Sequence, residues 1–358
     1  MKHDAGSASS LRQNNWSIGM KTSSITWLLI LVQIILCGCS KKKESGESIV
    51  SSKIGLVMDV GGRGDKSFND AAYRGLERAK KELGVDFELI EPGPGADRET
   101  ALRQFANRPD IALIIGNGFI FTDDITAIAI EFPSKKFACI DFIVDTSKRI
   151  PVNLVALKFK EEEGSFLVGA LAGLMTKTNT VGFIGGMQSP LIKKFESGYS
   201  AGAKYTNPGC NVLVGYAGIT AEAFKNPGKG KELALGQYSQ RADIIFHASG
   251  PTGSGVMEAA RETHNFVIGV DSDQFPEAPG YILTSMIKVV DNAIFEAIKS
   301  VKENTFHGGV AIVFGLESRG VDYIYDDNNK KLIPNDIHSR IEEIRGKIVS
   351  GAITVPVN

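Results

Sequence analysis

The sequence predicts an α/β fold with two lobes, each built on a mainly parallel β-sheet. Short apolar runs rich in β-branched residues alternate with amphipathic helical segments along almost the whole chain after residue 52. The strand candidates are mostly short apolar runs separated by helices, which is typical of strands buried on both faces of a parallel sheet. The alternation of strands and helices starts again near residue 180. The body of about 310 residues is also longer than a domain with a single core usually is, so we expect two lobes.

The N-terminal segment is typical of a secretion signal. The apolar run Ile25–Leu36 follows Lys21 and is shorter than the roughly 20 residues that a membrane-spanning helix needs. We therefore expect residues 1–38 to be a signal peptide. The first 19 residues are too polar for such a signal, so Met20 is the alternative start.

The end of this segment resembles the bacterial lipoprotein signal. Gly38 stands directly before Cys39, and in such signals cleavage leaves the cysteine as an acylated N-terminus. Several acyl chains hold a protein to a membrane surface without a spanning helix. We expect residues 39–52 to be this lipidated cysteine and a solvated, flexible tether.

The body of the chain contains nine predicted strands separated by helices. The strand candidates are residues 53–59, 86–91, 111–116, 136–141, 155–159, 180–186, 211–217, 243–249 and 266–271. The clearest helices are residues 67–84, 161–178, 190–205 and 335–350, and two further β-rich runs precede the last helix. The first lobe is assigned to residues 53–158 with parts of 285–358, and the second to 159–284 with part of 305–358.

The helix predicted at residues 161–178 is apolar on nearly all sides, which is typical of a helix buried in the core. Gly164, Gly169 and Gly173 lie on it and would allow a neighbouring backbone to approach closely. We therefore assign it a structural role between the two lobes.

Charge and cysteine content exclude several classes of protein. The net charge is −1, with 40 basic and 41 acidic residues interspersed, so no basic stripe indicates nucleic-acid binding. Cys37 leaves with the signal and Cys39 carries lipid. Cys139 and Cys210 are expected as two free thiols, although an oxidising compartment would allow one disulfide between them.

The loop "MDVGGRGDKSFND" at residues 58–70 looks at first like a phosphate-binding loop. It matches neither the Walker pattern, because Lys66 follows Asp65 rather than glycine, nor the dinucleotide fingerprint. An aspartate inside such a loop would also repel phosphate. We expect Ser67 to be the N-cap of the following helix, with Asp70 completing a capping box.

Two residues follow at the start of this helix. Phe68 is either a hydrophobic staple under the loop or an aromatic face on which a planar ring stacks. In the second case the amide of Asn69 supplies a donor and an acceptor in the plane of the ring.

Polar side chains end several predicted strands, at the edge where α/β sheets bind ligands. Any one of them is as readily a helix cap or a turn former. Aspartates in two lobes that face each other across a cleft would instead accept hydrogen bonds from hydroxyls or ring N–H groups. These residues are Asp59, Asn117, Asp141, Ser249 and Asp271.

The chain resembles the basic-membrane-protein family of bacterial substrate-binding lipoproteins, whose members include purine nucleoside receptors. The likeness runs from about residue 50 to the end, and six blocks in the same order carry it. They are "GGRGDKSFND", "KEEEGSFLVGALAGLMT", "VGFIGGMQSPLIKKFESGYSAGAKY", "VIGVDSDQ", "TSMIKVVDNAIFEAI" and "GLESRGVDY". The resemblance implies a type I periplasmic-binding-protein fold with three crossovers, working beside the permease and ATPase of an ABC importer.

The resemblance also implies a ligand site for the base. Phe68 and Phe195 match the two phenylalanines that sandwich it. Asn69 and Asp141 match the residues that bind its edge.

The ribose would be held by Asp271 and Lys288, with the backbone of Gly250 and, less directly, Asp59 on the same side. We expect Lys288 to lie near Asp271 and to compensate its charge.

The implied protein is a monomeric, lipid-anchored receptor at the cell membrane, facing the periplasm or the exterior. Its ligand would be a nucleoside, with the purines guanosine, inosine and adenosine favoured, and no cofactor, metal or catalytic residue is expected. Arg63, His247 and Pro251 depart from the family pattern, the last two in a loop that usually reads A-A-G-G-T-G.

Three alternatives stay open. They are a sugar receptor of the same fold, a surface adhesin or antigen without a transport task, and a nucleoside hydrolase. The hydrolase would need a metal-binding acidic cluster, for which Asp271 and Asp273 are the only candidates.

Overall fold

The computed structural model describes residues 52–92 and 98–357. The predicted signal peptide, the alternative start at Met20, the lipidation site Cys39 and the tether up to residue 51 lie outside the described residues. Within the described ranges, no helix combines the length and apolar character needed to cross a lipid bilayer.

Twelve strands in the described part of the chain form two six-stranded sheets. The strands are β1 Lys53–Val57, β2 Asp86–Ile90, β3 Ile111–Asn117, β4 Lys136–Ile140, β5 Leu154–Phe159, β6 Thr180–Met187, β7 Asn211–Gly218, β8 Ile244–Ala248, β9 Phe266–Asp271, β10 Ile282–Lys288, β11 Val310–Phe314 and β12 Val321–Tyr323. The first sheet has the order β11-β5-β4-β3-β1-β2, and the second has the order β12-β10-β9-β8-β6-β7.

Helices connect these strands. In the described ranges they are α1 Phe68–Leu83, α2 Arg98–Ala106, α3 Thr122–Glu131, α4 Glu161–Met175, α5 Pro190–Thr206, α6 Pro227–Ser239, α7 Gly253–Thr263, α8 Val290–Lys302 and α9 Asn335–Val349. Short 3₁₀ turns lie at Phe119–Phe121, Ala221–Phe224, Gly250–Thr252 and Phe275–Glu277.

All strand pairs are parallel except β10 with β12, which is antiparallel. The chain passes between the sheets three times, from β5 to β6, from β10 to β11 and from β11 to β12. The predicted α/β class, with parallel sheets and three crossovers, is therefore confirmed. The carboxyl ends of the strands carry the residues that the sequence singles out.

The strand β10 is absent from the nine predicted strands, although it lies inside the second sheet, between β12 and β9. The sequence does not predict it because Thr284 and Ser285 interrupt its apolar pattern, although both residues are buried in the core. Their hydroxyls have partners there: Thr284 Oγ1 donates to the Ile324 carbonyl, and Ser285 Oγ accepts from the Gln274 N–H. A buried polar group costs little when it is hydrogen-bonded, so a strand with such residues is stable in the core.

Helix α4 is buried along most of its length, as predicted. A Cβ atom at Gly169 would lie 2.1 Å from the Tyr199 carbonyl oxygen of α5, and one at Gly173 would lie 2.4 Å from that of Ala203. Only glycine permits this approach of the two helices. Cys139 and Cys210 are both buried and free, as expected.

Candidate functional site

A partly open cavity lies at the carboxyl ends of the strands of both sheets. Its empty volume is about 530 Å³, including the space at its mouth. All eight residues predicted for ligand contact line this cavity. The topology thus brings together side chains that are up to 229 positions apart (Asp59 to Lys288), in a setting typical of a small-molecule site.

Two phenylalanines form apolar walls of the cavity. Phe68, the first residue of α1, is half-buried, whereas Phe195 in α5 is buried and lies 6.4 Å, centroid to centroid, from Phe246. Lys288 Nζ lies 5.2 Å from the Phe68 ring centroid and 5.8 Å from that of Phe195. Both rings therefore border the same space, as the stacking interpretation requires.

The start of α1 is capped differently from the prediction. The Ser67 side chain makes no cap hydrogen bond. Asp65 caps the helix instead, because its carboxylate accepts from the backbone N–H groups of Ser67, Asn69 and Asp70 at 2.7–3.0 Å. An aspartate two residues before the N-cap reaches further around the first turn of the helix than the serine hydroxyl does. The place where a phosphate would bind is therefore filled by the chain's own anion.

Asp70 reaches back to the loop, but not as half of the predicted capping box. Its carboxylate accepts from the N–H groups of Gly64 and Lys66 and from Arg63 Nε at 2.9–3.1 Å. The loop before Phe68 is therefore held by two aspartates.

Asn69 is oriented by its neighbours. Its Oδ1 accepts from the Asp59 backbone N–H at 3.1 Å and from Asn117 Nδ2 at 3.0 Å. Its Nδ2 has only a 3.5 Å contact, with the Val60 carbonyl. Because Oδ1 already has two donors, Asn69 offers a ligand its amino group rather than its oxygen. Asn117, which ends β3, is thus a supporting residue of the site.

Asp141 follows β4 and has left-handed backbone with φ 60°. Only 6% of it is exposed. Its Oδ2 accepts from Lys288 Nζ at 2.6 Å, but its Oδ1 is buried without any hydrogen-bond partner among the described residues. Burial raises the pKa of Asp141 to about 6 against the opposing effect of Lys288. A buried, unpartnered carboxylate oxygen that lines a cavity calls for a donor from a ligand.

Lys288 acts on Asp271 through its charge, as expected, but its direct ion pairs are with two other carboxylates. It ends β10, is 2% exposed, and pairs with Asp141 and with Glu161 Oε1 at 3.1 Å. Burial opposes its charge, but the surrounding carboxylates hold the pKa of Lys288 above its usual range. The charge of Lys288 also opposes the rise that burial causes in the pKa of Asp271. The expectation does not include Glu161, the first residue of α4, which places a second carboxylate beside the ammonium.

Glu161 extends this ion pair toward the crossover between the sheets. It is fully buried, and its other oxygen pairs with Lys194 of α5, which also donates to the Phe159 carbonyl at 2.7 Å. Burial opposes ionisation, but Lys288 and Lys194 together keep the pKa of Glu161 below its usual value. Sequence reasoning missed Glu161, although three acidic residues at the start of an otherwise apolar helix are a usable signal.

Asp271, at the end of β9, also has left-handed backbone, with φ 65°. It is 8% exposed, and its Oδ2 accepts from Ser67 Oγ at 2.6 Å. Burial raises the pKa of Asp271 to about 6. Ser67 is thus a partner of the second sheet rather than a helix cap.

The remaining predicted residues complete the wall. Asp59 is half-buried beside Gly118, and its Oδ1 accepts from the Val60 N–H at 2.6 Å. Burial raises the pKa of Asp59 to about 7. Gly250 has φ 54° at the start of a 3₁₀ turn, a conformation that glycine adopts without strain.

Asp273 does not join Asp271 in a metal site. Its Oδ1 accepts from the Phe275 N–H at 3.0 Å, and it does not line the cavity. Among the described residues, no group of three or more His, Cys, Asp or Glu side chains is arranged to hold a metal ion.

Comparison with known proteins extends over almost the whole chain. The family model described as Bmp, an ABC transporter substrate-binding protein that is PnrA-like, matches residues 52–358. The CD4+ T-cell-stimulating antigen of Listeria monocytogenes is 36% identical over 92% of this chain and 96% of its own length. The ABC transporter nucleoside-binding protein BmpA of Lactococcus lactis is 31% identical over 90% of this chain and 95% of its own.

A solved structure supports the same assignment. The solute-binding protein of an ABC transporter system from Aeropyrum pernix superimposes with a TM-score of 0.78 at 28% identity, covering 86% of this chain and 94% of that one. A family match over residues 52–358 spans well over half of the sequence. The chain therefore belongs to the Bmp family of PnrA-like substrate-binding proteins of ABC transporters.

Proposed function

We propose that this protein binds a purine nucleoside in the cavity between its two sheets and presents it to an ABC permease. Phe68 and Phe195 hold the two faces of the base. The carboxylate of Asp141 and the amino group of Asn69 bind its edge, and Asp271 with the Gly250 turn binds the ribose. Asp59 and Lys288 shape the same wall.

The unpartnered Oδ1 of Asp141 carries this proposal. It lies in a cavity bordered by two phenyl rings, so its natural partner is a donor in the plane of a flat ring. Purine bases present ring N–H or amino groups at their edge. The faces of the purine ring would pack against the two phenyl rings, and its edge would donate a hydrogen bond to the carboxylate.

The charge of the cavity favours a neutral ligand. Among the described residues, one cation, Lys288, lines it, and it is already paired with Asp141 and Glu161. Four carboxylates line it as well: Asp59, Asp65, Asp141 and Asp271. A phosphate group would meet net negative charge there, with no free cation in the described part of the chain. We therefore propose that nucleosides bind and that nucleotides are rejected.

We propose further that the two sheets with their helices act as lobes, near residues 53–158 and 159–284, that hinge at the three crossovers. The lipid on Cys39 would keep the receptor at the membrane beside the permease. Its sequence context supports this anchor.

The test is a calorimetric titration of the purified monomeric protein with inosine, guanosine, adenosine, inosine monophosphate and ribose. We expect the three nucleosides to bind and to raise the melting temperature by mass action, whereas ribose and the monophosphate do not. The Phe68→Leu variant should bind inosine about tenfold more weakly, because it loses one aromatic face. Phe306→Leu, a change outside the cavity, is the matched control.

Three results would contradict the proposal. Ribose that binds as tightly as inosine would indicate a sugar receptor. Release of free hypoxanthine from inosine during incubation would indicate a hydrolase. A protein that binds no nucleoside, while it is folded by circular dichroism, would favour the antigen alternative.

A further inference from the structure

Gln274 lies just after β9, is 1% exposed and does not line the cavity. Its Oε1 accepts from the Val270 N–H at 2.9 Å, next to Asp271. Its Nε2 donates to the Lys66 carbonyl at 3.2 Å, in the loop that leads to Phe68. One buried side chain therefore joins the end of a second-sheet strand to the loop that follows β1.

These two backbone partners determine the orientation of the amide. An N–H group only donates and a carbonyl only accepts, so the amide oxygen must face Val270 and the amino group must face Lys66. The opposite orientation would place two donors together at one end and two acceptors together at the other. The assignment thus follows from the backbone rather than from a choice of rotamer.

This orientation determines the tautomer of His247. His247 Nε2 lies 3.0 Å from Gln274 Oε1, which only accepts, so Nε2 carries the proton. Burial lowers the pKa of His247 to about 4, so the ring is neutral at physiological pH and Nδ1 is an acceptor. Ser249 Oγ, 3.3 Å from Nδ1, therefore donates to it.

The donor and the acceptor of each hydrogen bond in this side-chain network are therefore determined. Ser249 donates to His247, His247 donates to Gln274, and Gln274 donates to the Lys66 carbonyl. Its members support three walls of the cavity: the loop before Phe68, the strand end at Asp271 and the turn at Ser249–Gly250.

We propose that Gln274 is a positioning residue of the ligand site, which holds these three walls in register through its amide and through His247. The proposal deepens the function proposed above and rests on it for the choice of ligand. His247 lies in β8, which ends directly before the Ser249–Gly250 turn that lines the cavity.

The experiment compares the full chain with the variants Gln274→Met and Gln274→Glu. Methionine keeps the volume but removes all three side-chain hydrogen bonds, and glutamate keeps the two accepted bonds but cannot donate to Lys66. Gln240→Met, at an exposed glutamine, is the matched control. We expect inosine affinity to fall about tenfold or more in Gln274→Met, by less in Gln274→Glu, and not at all in the control.

A second measurement tests the hydrogen-bond network in the protein without ligand. Nitrogen-15 NMR of the histidine side chains reports which ring nitrogen carries the proton. We expect the Nε2–H form for His247 in the parent and in Gln274→Glu, and a shift toward Nδ1–H in Gln274→Met. A loss of packing alone would not move the proton between ring nitrogens in this pattern.

Two results would overturn the proposal. One is a parent protein in which His247 carries its proton on Nδ1. The other is inosine binding by both Gln274 variants that equals that of Gln240→Met. A parent that binds no inosine would contradict the proposed function, whereas the NMR measurement would still decide whether Gln274 directs the network.

Discussion

The two sheets place an aspartate at the same position and then hold it by different means. The strand orders correspond one to one, so β4 in the first sheet has the place that β9 has in the second. Asp141 follows β4 and Asp271 ends β9, and both have left-handed backbone with φ of 60° and 65°. Such a conformation costs about 1 kcal/mol or more and turns the side chain away from the strand direction.

The partners of the two carboxylates differ in charge. Asp141 of the first sheet accepts from the ammonium of Lys288 on the second, whereas Asp271 of the second sheet accepts from the hydroxyl of Ser67 at the start of α1. Each acid is therefore held by the opposite half of the molecule, one by an ion pair and one by a neutral hydrogen bond. In the proposed complex, the ion pair would keep Asp141 charged at the edge of the base, and the neutral bond would leave Asp271 to a group that both donates and accepts.

Removal of the charged partner should have the largest effect. In Lys288→Met, Asp141 and Glu161 remain buried without their shared cation, so we expect the free energy of unfolding at pH 7 to fall by about 3–5 kcal/mol. Urea denaturation measures it, and Lys81→Met at an exposed lysine is the control. The loss should shrink at pH 5, where the unpaired carboxylates become protonated. A variant as stable as the control would show that the pair is dispensable.

Neutral amides at the two positions should separate the two roles. A base N–H only donates, so Asp141→Asn should weaken inosine binding by about 10- to 100-fold. A ribose hydroxyl also accepts, so Asp271→Asn should cost about tenfold or less. Titration calorimetry compares both with the exposed Asp145→Asn. Equal losses, or a larger loss at Asp271, would contradict the assignment of base edge and ribose.

Acidification should affect binding and stability in opposite directions. The pKa is raised to about 7 for Asp59 and to about 6 for Asp141 and Asp271. Because these carboxylates accept from the ligand when ionised, inosine affinity should fall about tenfold or less between pH 7.5 and 5.5.

The stability of the unliganded protein should rise on acidification, whereas the affinity for inosine falls. The folded-state pKa values lie above the unfolded value of about 3.9, so deprotonation with rising pH disfavours the folded state. Buried His247, whose pKa is lowered to about 4, acts in the opposite direction, because only the unfolded state takes up its proton in this range. Three carboxylates outweigh one imidazole, so the unliganded protein should melt at a higher temperature at pH 5.5 than at pH 7.5. Affinity that rises on acidification would contradict the role of these acids.

Removal of the neutral partner should have the smallest effect. Ser67→Ala removes the hydroxyl that donates to Asp271, and we expect a loss of about 1 kcal/mol in the free energy of unfolding. Ser239→Ala, at an exposed serine on α6, is the control. A loss as large as that of Lys288→Met would mean that the two halves do not differ as described.

The sequence predicts most of the fold because its strands are short apolar runs that alternate with longer amphipathic helices. It fails at β10, where Thr284 and Ser285 are buried polar residues satisfied by partners far along the chain. Such satisfaction depends on tertiary contacts, which no local pattern contains.

The residues of the candidate site could be predicted as a set, but not the bonds between them. The resemblance identifies Lys288 and Asp271, yet the cation pairs with Asp141 and with Glu161 from another element. Ser67 matches a capping pattern locally, but Asp65 takes the helix N–H groups and leaves Ser67 to Asp271. In both cases several residues could bind the same partner. Only the distances between their atoms in the folded structure show which of them does.

A crystal structure of the complex with inosine tests the central claim most directly. We predict the purine ring between Phe68 and Phe195, with a ring N–H within hydrogen-bond distance of Asp141 Oδ1 and the ribose beside Asp271. A ring bound elsewhere, or a complex in which Asp141 Oδ1 stays without a ligand donor, would contradict it.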